Sequence, residues 1–285
     1  MPQRAERSRK NVASLGMVGL TDAGRMRPEN EDAISVHPEV GLAILADGMG
    51  GHQAGEVASG MAVEVITRHF AEAFVREFER RRKGQVPEAA MEVNAMYDAI
   101  QLANNAIHEM ARARPECAGM GSTVVIAVFY NDKLCVGHVG DSRLYRFRSG
   151  ELTQLTQDHS VVQELVSRGL LTIEEAHQTV GKNLVTRALG VDSSVTPDVA
   201  EQSLEEADLY LLCSDGLNDM LSDEEIRKLL VEHGADLETA VKRLVAEANE
   251  RGGADNISVI LARAAKHFTR PKKAAQQLQT RLKQA

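Results

Sequence analysis

Cysteine is scarce in this sequence. Only three of the 285 residues are cysteines (Cys117, Cys135 and Cys213), and none of them forms the CxxC spacing of a zinc site or a redox pair. An odd number of cysteines in or beside apolar runs is typical of reduced thiols in the cytoplasm. These features argue against a disulfide framework and a zinc centre, and they predict a cytoplasmic protein.

Long apolar runs are also missing. No stretch of 18 residues is apolar and uncharged throughout, and the basic residues at 1–10 are not followed by an apolar core. A membrane-spanning helix needs about 20 such residues, and a secretory signal needs an apolar segment after its basic start. We therefore expect neither a membrane span nor export.

Several catalytic motifs are absent. The sequence has no GxxxxGK[ST], HExxH or GxSxG, and no cysteine is followed by arginine six positions later. The glycines of Gly48-Met49-Gly50-Gly51 lack the GxGxxG spacing of a dinucleotide turn. A nucleophilic serine or cysteine, a zinc protease and a glycine phosphate cradle are therefore unsupported.

Positive charge is concentrated at the two ends of the chain. The net charge is −8, with +3 in residues 1–10 and +6 in residues 266–285, so residues 11–265 carry −17. A body this acidic disfavours nucleic acid as a partner and suits a protein that collects cations. We expect the basic ends to be solvated. We predict a basic extension over 1–13, one domain over 14–264 and a basic helical tail over 265–285.

The apolar periodicity predicts an α+β protein, because its strands and helices come in blocks and do not alternate as they do in a parallel sheet. Residues 155–190 have no clear period, which is typical of a functional or mobile segment. Ser222 and Glu225 have the spacing of a capping box at a helix start. The predicted strands are 15–20, 33–36, 42–46, 122–130, 133–139, 143–147, 209–213 and 257–261, and the predicted helices are 56–82, 88–113, 223–232 and 237–251.

Three acids stand at the ends of three predicted strands. One apolar run ends in Asp47-Gly48, a second ends in Asp215-Gly216, and Asp255 comes just before a third. Asp-Gly is also a strong signal for a hairpin turn. Carboxylates gathered at one end of a sheet repel one another, and Mg²⁺ or Mn²⁺, which prefer oxygen ligands, would relieve that repulsion. A turn and a cation site are both compatible with this pattern.

Further acids and one arginine extend the pattern towards phosphoryl chemistry. Glu31 and Asp32 share a loop with Arg27, Asp141 lies between Gly140 and Ser142, and Asp158 lies in the polar segment 155–190. Two cations can clamp a phosphoryl group while a water between them attacks phosphorus in line. Arg27 could bind two phosphate oxygens through its planar guanidinium. The alternative is a surface ion pair of Arg27 with Glu31 or Asp32.

Seven ordered segments together resemble the bacterial metal-dependent type 2C (PPM family) serine/threonine protein phosphatases. The resemblance covers roughly residues 14–264 and depends on their order as well as their residues. They are Arg27-Pro28-Glu29-Asn30-Glu31-Asp32, Asp47-Gly48-Met49-Gly50-Gly51-His52, Gly121-Ser122-Thr123, Gly140-Asp141-Ser142-Arg143, Thr186-Arg187-Ala188-Leu189-Gly190, Ser214-Asp215-Gly216 and Gly253-Ala254-Asp255-Asn256.

This resemblance implies an αββα sandwich, in which two antiparallel sheets lie between pairs of helices. It implies hydrolysis of phosphoserine and phosphothreonine monoesters by in-line attack of a water or hydroxide that bridges two Mg²⁺ or Mn²⁺ ions, with a third ion possible. The expected partners are phosphorylated proteins, including a Ser/Thr kinase and its targets, and the expected state is a monomer.

The resemblance also implies roles for individual residues. Asp47 would bridge two ions, and the carbonyl of Gly48 would ligate one of them. Asp215 and Asp255 would complete the other ion's ligands, and Arg27 would bind the substrate phosphate. The remaining assignments are Glu31 and Asp32 to the cations through water, Asp141 with Asp215 to a third ion, and Ser160 to the same third ion.

One position departs from part of the family. Some members have Asp-Gly-His, whose histidine is proposed as the general acid, but this chain has Met49 there and His52 three positions later. Either His52 or a coordinated water could protonate the leaving group. Two other functions stay open, a phosphatase fold that binds without turnover and a two-metal nuclease or phosphodiesterase, although the acidic body disfavours DNA.

Overall fold

The computed structural model describes residues 15–50, 54–85, 90–172, 175, 179 and 184–284. In chain order its elements are β1 (Gly16–Asp22), β2 (Asp32–His37), β3 (Leu42–Met49), α1 (Ala54–Arg82), α2 (Met91–Ala113), a 3₁₀ turn (Pro115–Cys117), β4 (Gly121–Ser122), β5 (Val124–Tyr130), β6 (Lys133–Val139), β7 (Arg143–Arg148), β8 (Glu151–Gln154), α3 (Val161–Ser167), β9 (Asp198–Ser203), β10 (Leu209–Cys213), α4 (Asp215–Asn218), α5 (Asp223–His233), α6 (Leu237–Glu250), β11 (Ile257–Arg263) and α7 (Lys272–Leu282).

The strands form two antiparallel sheets. One has the order β1-β11-β10-β7-β8, and the other has the order β2-β3-β5-β6-β9 with β4 paired to β3. Successive side chains of a strand point to opposite faces. Leu42 and Ile44 accordingly pack towards α1 and α2, whereas Ala43 and Leu45 pack against the other sheet. The predicted αββα sandwich is confirmed, and burial on both faces explains why its central strands are uninterrupted apolar runs.

The long first helix presents an aromatic stripe to this core. Phe70 and Phe74 are fully buried, and their ring centroids lie 5.5 Å apart.

At the start of α5, the predicted capping box is also present, because Ser222 and Glu225 satisfy each other's backbone amides.

The Asp47-Gly48 pair does not form the hairpin turn that was considered from sequence. Strand β3 continues through Met49, with Asp47 opposite Asp32 and Gly48 opposite Ser122. A Cβ atom at Gly48 would collide with the carbonyl oxygen of Gly55. Glycine is therefore needed here for the close approach of α1, and the turn interpretation is wrong.

The C-terminal segment is not a solvated tail as expected. Ala275 and Leu278 of α7 are buried against α1, and Arg270 lies over the ring of Phe74, 3.4 Å from its centroid. The basic residues at 1–10 lie outside the described part of the chain. Within the described part, no helix is both long enough and apolar enough to cross a membrane.

Candidate metal centre

One end of the sandwich gathers acids from both sheets. Asp32 and Asp47 face each other at the ends of β2 and β3. Asp215 begins α4 directly after β10, and Asp255 lies just before the neighbouring strand β11. The hydroxyl of Ser214 donates to Asp32 Oδ2 at 2.8 Å and thereby joins the two sheets at this point.

Burial and mutual repulsion perturb these acids strongly. Burial, followed by the charges of Asp32, Asp215, Asp141 and Asp255, raises the pKa of Asp47 well above its usual range. Burial and the charge of Asp141 likewise raise the pKa of Asp215. Burial is also the main cause of the pKa of about 6 for both Asp32 and Asp141. The side chains are therefore close enough to oppose one another's ionisation.

The cluster fits hard divalent cations. The Oδ1 atom of Asp32 is buried and has no hydrogen-bond partner among the described residues, although buried carboxylates are normally paired. Apart from the Ser160 hydroxyl, the candidate side-chain ligand atoms are carboxylate oxygens, which Mg²⁺ and Mn²⁺ prefer. Cations at this end of the sheets would offset the repulsion and satisfy the unpaired oxygen.

Arg27 lies at the rim of the cluster. Its Nη2 donates to Asp255 Oδ2 at 2.7 Å, and its side chain is 49% exposed. The hydrogen bond to Asp255 is the main cause of its raised pKa. The structure thus pairs Arg27 with a different acid from the two considered from sequence, Glu31 and Asp32, and leaves the guanidinium accessible from outside.

Asn256 holds the loop that carries Arg27 and Glu31. Its side-chain Nδ2 donates to the carbonyls of Ala23 and Glu29, and its Oδ1 accepts a hydrogen bond from the Glu31 backbone amide at 2.8 Å. The burial of Glu31 raises the pKa of its carboxyl, although the Gly55 amide at the start of α1 partly offsets this. Sequence reasoning noted the Asp255-Asn256 pair but did not give Asn256 this role, since its partners lie more than 220 positions away.

Asp141 approaches the cluster from the turn between β6 and β7. Gly140, which precedes it, has φ +102°, and a Cβ there would lie 2.6 Å from Thr123 Cβ. Asp158 is held by Arg143, whose Nη2 donates to Asp158 Oδ2 at 2.7 Å. Asp158 is therefore a structural partner of this turn.

Two other candidate residues have less direct support. Ser160 caps α3, where its hydroxyl accepts the Gln163 amide at 3.2 Å, so its contact with a third ion stays a prediction. His52 lies outside the described residues, and its role as a general acid also stays a prediction. Asp219, one helical turn after Asp215, raises the pKa of Asp215 and was missed by sequence reasoning.

A groove of about 780 Å³ opens beside Met49, two residues after Asp47. Its lining includes Thr186, Arg187 and Val191. Val191 is 55% exposed, and Arg187 Nη1 donates to Asp198 Oδ1 at 3.0 Å. The groove therefore has both apolar and charged lining residues, and it lies beside the end of the strand that carries Asp47.

Comparison with known proteins shows that this chain resembles protein phosphatases. A family profile described as "Protein phosphatase 2C" matches residues 27–262. The chain is 38% identical over 249 residues to the serine/threonine protein phosphatase PstP of Mycobacterium tuberculosis (strain CDC 1551 / Oshkosh), covering 87% of this chain and 45% of PstP. This chain thus spans about half the length of that relative.

A shorter relative and a solved structure match nearly end to end. Protein phosphatase PhpP of Streptococcus pneumoniae (strain D39 / NCTC 7466) is 36% identical, with coverage of 85% of this chain and 94% of PhpP. The catalytic domain of PstP, crystallised with two manganese ions, superposes with a TM-score of 0.73 at 35% identity, with coverage of 88% of this chain and 98% of that domain.

Proposed function

Because the chain belongs to the protein phosphatase 2C family, we propose that it is a metal-dependent phosphatase that hydrolyses phosphoserine and phosphothreonine monoesters in proteins. The observation that carries this proposal is the buried set of carboxylates that converges where the two sheets meet, with Asp47 at its centre. The family match and the manganese complex of the PstP domain support the same chemistry.

The carboxylates have distinct roles in this proposal. Asp47, Asp215 and Asp255, with the carbonyl of Gly48, would hold two Mg²⁺ or Mn²⁺ ions. Glu31 and Asp32 would accept hydrogen bonds from the hydration shell of these ions. Asp141 would contribute to a third, weaker site, with Ser160 as a further candidate ligand.

Bound cations would lower the pKa of a water held between them and neutralise charge on the phosphate. Arg27 would bind two oxygens of the substrate phosphate, because its planar fork matches them and its position at the rim leaves it accessible. The groove beside Met49 would receive the polypeptide around the phosphorylated residue. Either His52 or a cation-bound water is proposed as the proton donor to the leaving alcohol.

The proposed substrates are proteins phosphorylated by a Ser/Thr kinase, and the kinase itself is a further proposed partner. A cytoplasmic location is consistent with three cysteines that are buried free thiols. A monomeric state is proposed as well. The intact set of central acids disfavours a module without turnover, and the acidic body disfavours a nuclease.

Phosphate release measured with matched substrates tests the function. The purified full chain is incubated with a phosphothreonine peptide and Mn²⁺, then with excess chelator, and then with Mn²⁺ again. We expect phosphate release that stops with chelator and returns with metal, because the proposed nucleophile is a water that needs cations to lower its pKa. The same peptide carrying phosphotyrosine and a phosphodiester of similar size serve as controls. Release that survives chelation, or a preference for the diester, would contradict the proposal.

A further inference from the structure

A second group of polar side chains lies next to the acid cluster. His138, His159 and Asp198 each bring a nitrogen or oxygen atom to within 4.8 Å of the others. The two imidazole rings are stacked, with centroids 4.6 Å apart. Two histidines and a carboxylate at this distance suggest a site for a transition metal such as Zn²⁺.

The hydrogen bond of the His159 ring disfavours that interpretation. The backbone amide of Gly140 donates to His159 Nδ1 at 3.1 Å, so this nitrogen carries a lone pair and the neutral ring holds its proton on Nε2. A protonated nitrogen cannot ligate a metal. A ring that accepts the Gly140 amide through Nδ1 and keeps its proton on Nε2 is neutral, and burial, followed by the charges of His138 and Arg187, lowers the pKa of His159 in the same sense.

The protonated nitrogen of His159 faces an acid that is already paired. Nε2 lies 3.5 Å from Asp198 Oδ2, and it has no hydrogen-bond partner within the described ranges. Arg187 donates to the other oxygen of Asp198. Oδ2 of Asp198 thus faces His159 Nε2, while Oδ1 accepts from the arginine of the groove beside Met49.

The turn that carries Asp141 is clamped by two consecutive residues. His159 binds both backbone groups of Gly140, because its own amide also donates to the Gly140 carbonyl at 3.0 Å. At the other end of the turn, Arg143 donates to Asp158 through Nε and Nη2. Asp141 lies between these two attachments, so its backbone is fixed relative to Asp158 and His159.

His159 also joins this turn to the groove. Its carbonyl accepts the Thr186 amide at 2.8 Å, and Thr186 precedes Arg187. The ring and backbone of one buried residue therefore contact the Asp141 turn, the Thr186 segment and the first residue of β9.

We propose that His159 is a positioning residue whose neutral ring, protonated on Nε2, holds the Gly140–Asp141 turn in place, and whose carbonyl ties this turn to the Thr186–Arg187 segment. This inference rests on the proposed function only where it assigns a cation to Asp141. The hydrogen-bonding form of the ring is independent of that assignment.

The protonation state of the His159 ring is tested first, on the metal-free wild-type protein. Long-range ¹H–¹⁵N spectra of histidine-labelled protein are expected to show His159 protonated on Nε2 and neutral at pH 7. Titration with Zn²⁺ up to an equimolar amount is expected to leave the ring nitrogens of His138 and His159 unshifted. Protonation on Nδ1, or a shift of both rings with Zn²⁺, would overturn the proposal in favour of a metal site.

Variants then test the consequence for the Asp141 turn. Mn²⁺ binding is followed by electron paramagnetic resonance in His159→Ala, His159→Asn, His138→Asn and Asp141→Asn. We expect both His159→Ala and Asp141→Asn to weaken the weakest Mn²⁺ site by about 10-fold or more, because the first removes the support of a ligand and the second removes the ligand charge. Oδ1 of Asn can take the place of Nδ1, so His159→Asn is expected to stay within about threefold of wild type.

The matched histidine separates positioning from ring packing. His138→Asn removes the other ring of the stack and keeps the Gly140 hydrogen bond, so Mn²⁺ binding should stay as in wild type. An equal loss in His138→Asn and His159→Ala, or no rescue by Asn, would overturn the proposal. If His159→Ala does not fold, the spectra of wild type and the binding by His159→Asn still decide. An inactive wild type with the expected spectra would refute the phosphatase function alone.

Discussion

Two aspartates at opposite ends of β10 have opposite environments. Asp208, just before the strand, accepts hydrogen bonds from Arg148 Nη2 at 2.6 Å and from the Glu205 amide. Burial is the largest single influence and raises its pKa, but the hydrogen bonds from Arg148, the Glu205 amide and Tyr210, together with the charge of Arg148, outweigh it, and the net shift is downward. Asp215, just after the strand, faces other acids, and its pKa is raised. One buried charge is therefore compensated within the protein, and the other is positioned to bind a cation.

This contrast predicts opposite results for the same substitution. Asp215→Asn should lower turnover of a phosphothreonine peptide by on the order of 100-fold or more, because a cation ligand worth several kcal/mol in the transition state is lost. Its metal-free form should be at least as stable as wild type, since a buried repulsive charge is removed without a change in volume. Steady-state rates and thermal unfolding without metal measure both effects.

Asp208→Asn is the matched control. It should keep turnover near the wild-type value and lower the melting temperature, because Arg148 loses its buried charge partner and keeps only the exposed Glu205. If Asp208→Asn removed turnover, or if Asp215→Asn retained it, the assignment of Asp215 to the metal centre would be wrong.

For individual residues, the sequence predicted which acids come together but not which hydrogen bonds hold them and their loop in place. Asp47, Asp215 and Asp255 were found because each stands at the end of an apolar run. The pairing of Arg27 with Asp255 spans 228 positions, and the loop contacts of Asn256 span a similar distance. Such contacts depend on the register of β1 against β11, which no local pattern encodes.

Among the elements, α7 shows how a charged segment can be structural. Its sequence is basic, but its small apolar residues lie on one face and pack against α1. Arg270, just before the helix, is 8% exposed at its side chain and lies 3.5 Å from Glu92 of α2. The segment therefore joins α1 and α2 at the end of the molecule remote from Asp47.

Truncation of one buried side chain tests this packing. Leu278 is 1% exposed, so Leu278→Ala should lower the free energy of unfolding by about 2–3 kcal/mol through lost burial and a new cavity. Turnover at a temperature well below unfolding should stay unchanged. Gln277→Ala, on the exposed side of the same helix, is the control and should have little effect. Denaturant unfolding measures the difference, and equal stability of the two variants would mean that α7 is not packed as described.

The other strands and helices could be predicted from the sequence only where burial requires a regular pattern of apolar residues. The strands at the centres of the sheets were found because both of their faces are buried. Strand β9 was missed, since it lies at a sheet edge and its sequence, Asp-Val-Ala-Glu-Gln-Ser, is mostly exposed. Helix α3 was missed within residues 155–190 because only Val162 of its seven residues is buried.

Across the whole molecule, the metal centre lies where the two sheets and their flanking helices converge. Its acids come from β2, β3, the β6–β7 turn, α4 and the start of β11, so a cation there would join segments from most of the chain. In the absence of cations, these buried acids repel one another. Metal binding and folding should therefore be coupled through the ionisation of the same carboxylates.

This coupling predicts that Mn²⁺ stabilises the protein more at pH 7 than at pH 5. Asp32 and Asp141 have a pKa of about 6 in the folded, metal-free protein. The native state therefore holds protons that the unfolded chain releases, and this contribution to stability is lost as pH rises from about 4 to 6. Bound Mn²⁺ needs ionised carboxylates and competes with those protons, so its stabilisation, about 2.7 kcal/mol at 100 times the dissociation constant, should grow over this range.

Melting temperatures with and without a fixed Mn²⁺ concentration measure the difference, in which pH effects of other residues cancel. Asp215→Asn should show a small shift at both pH values, and a wild-type shift that is equal or larger at pH 5 would contradict the coupling.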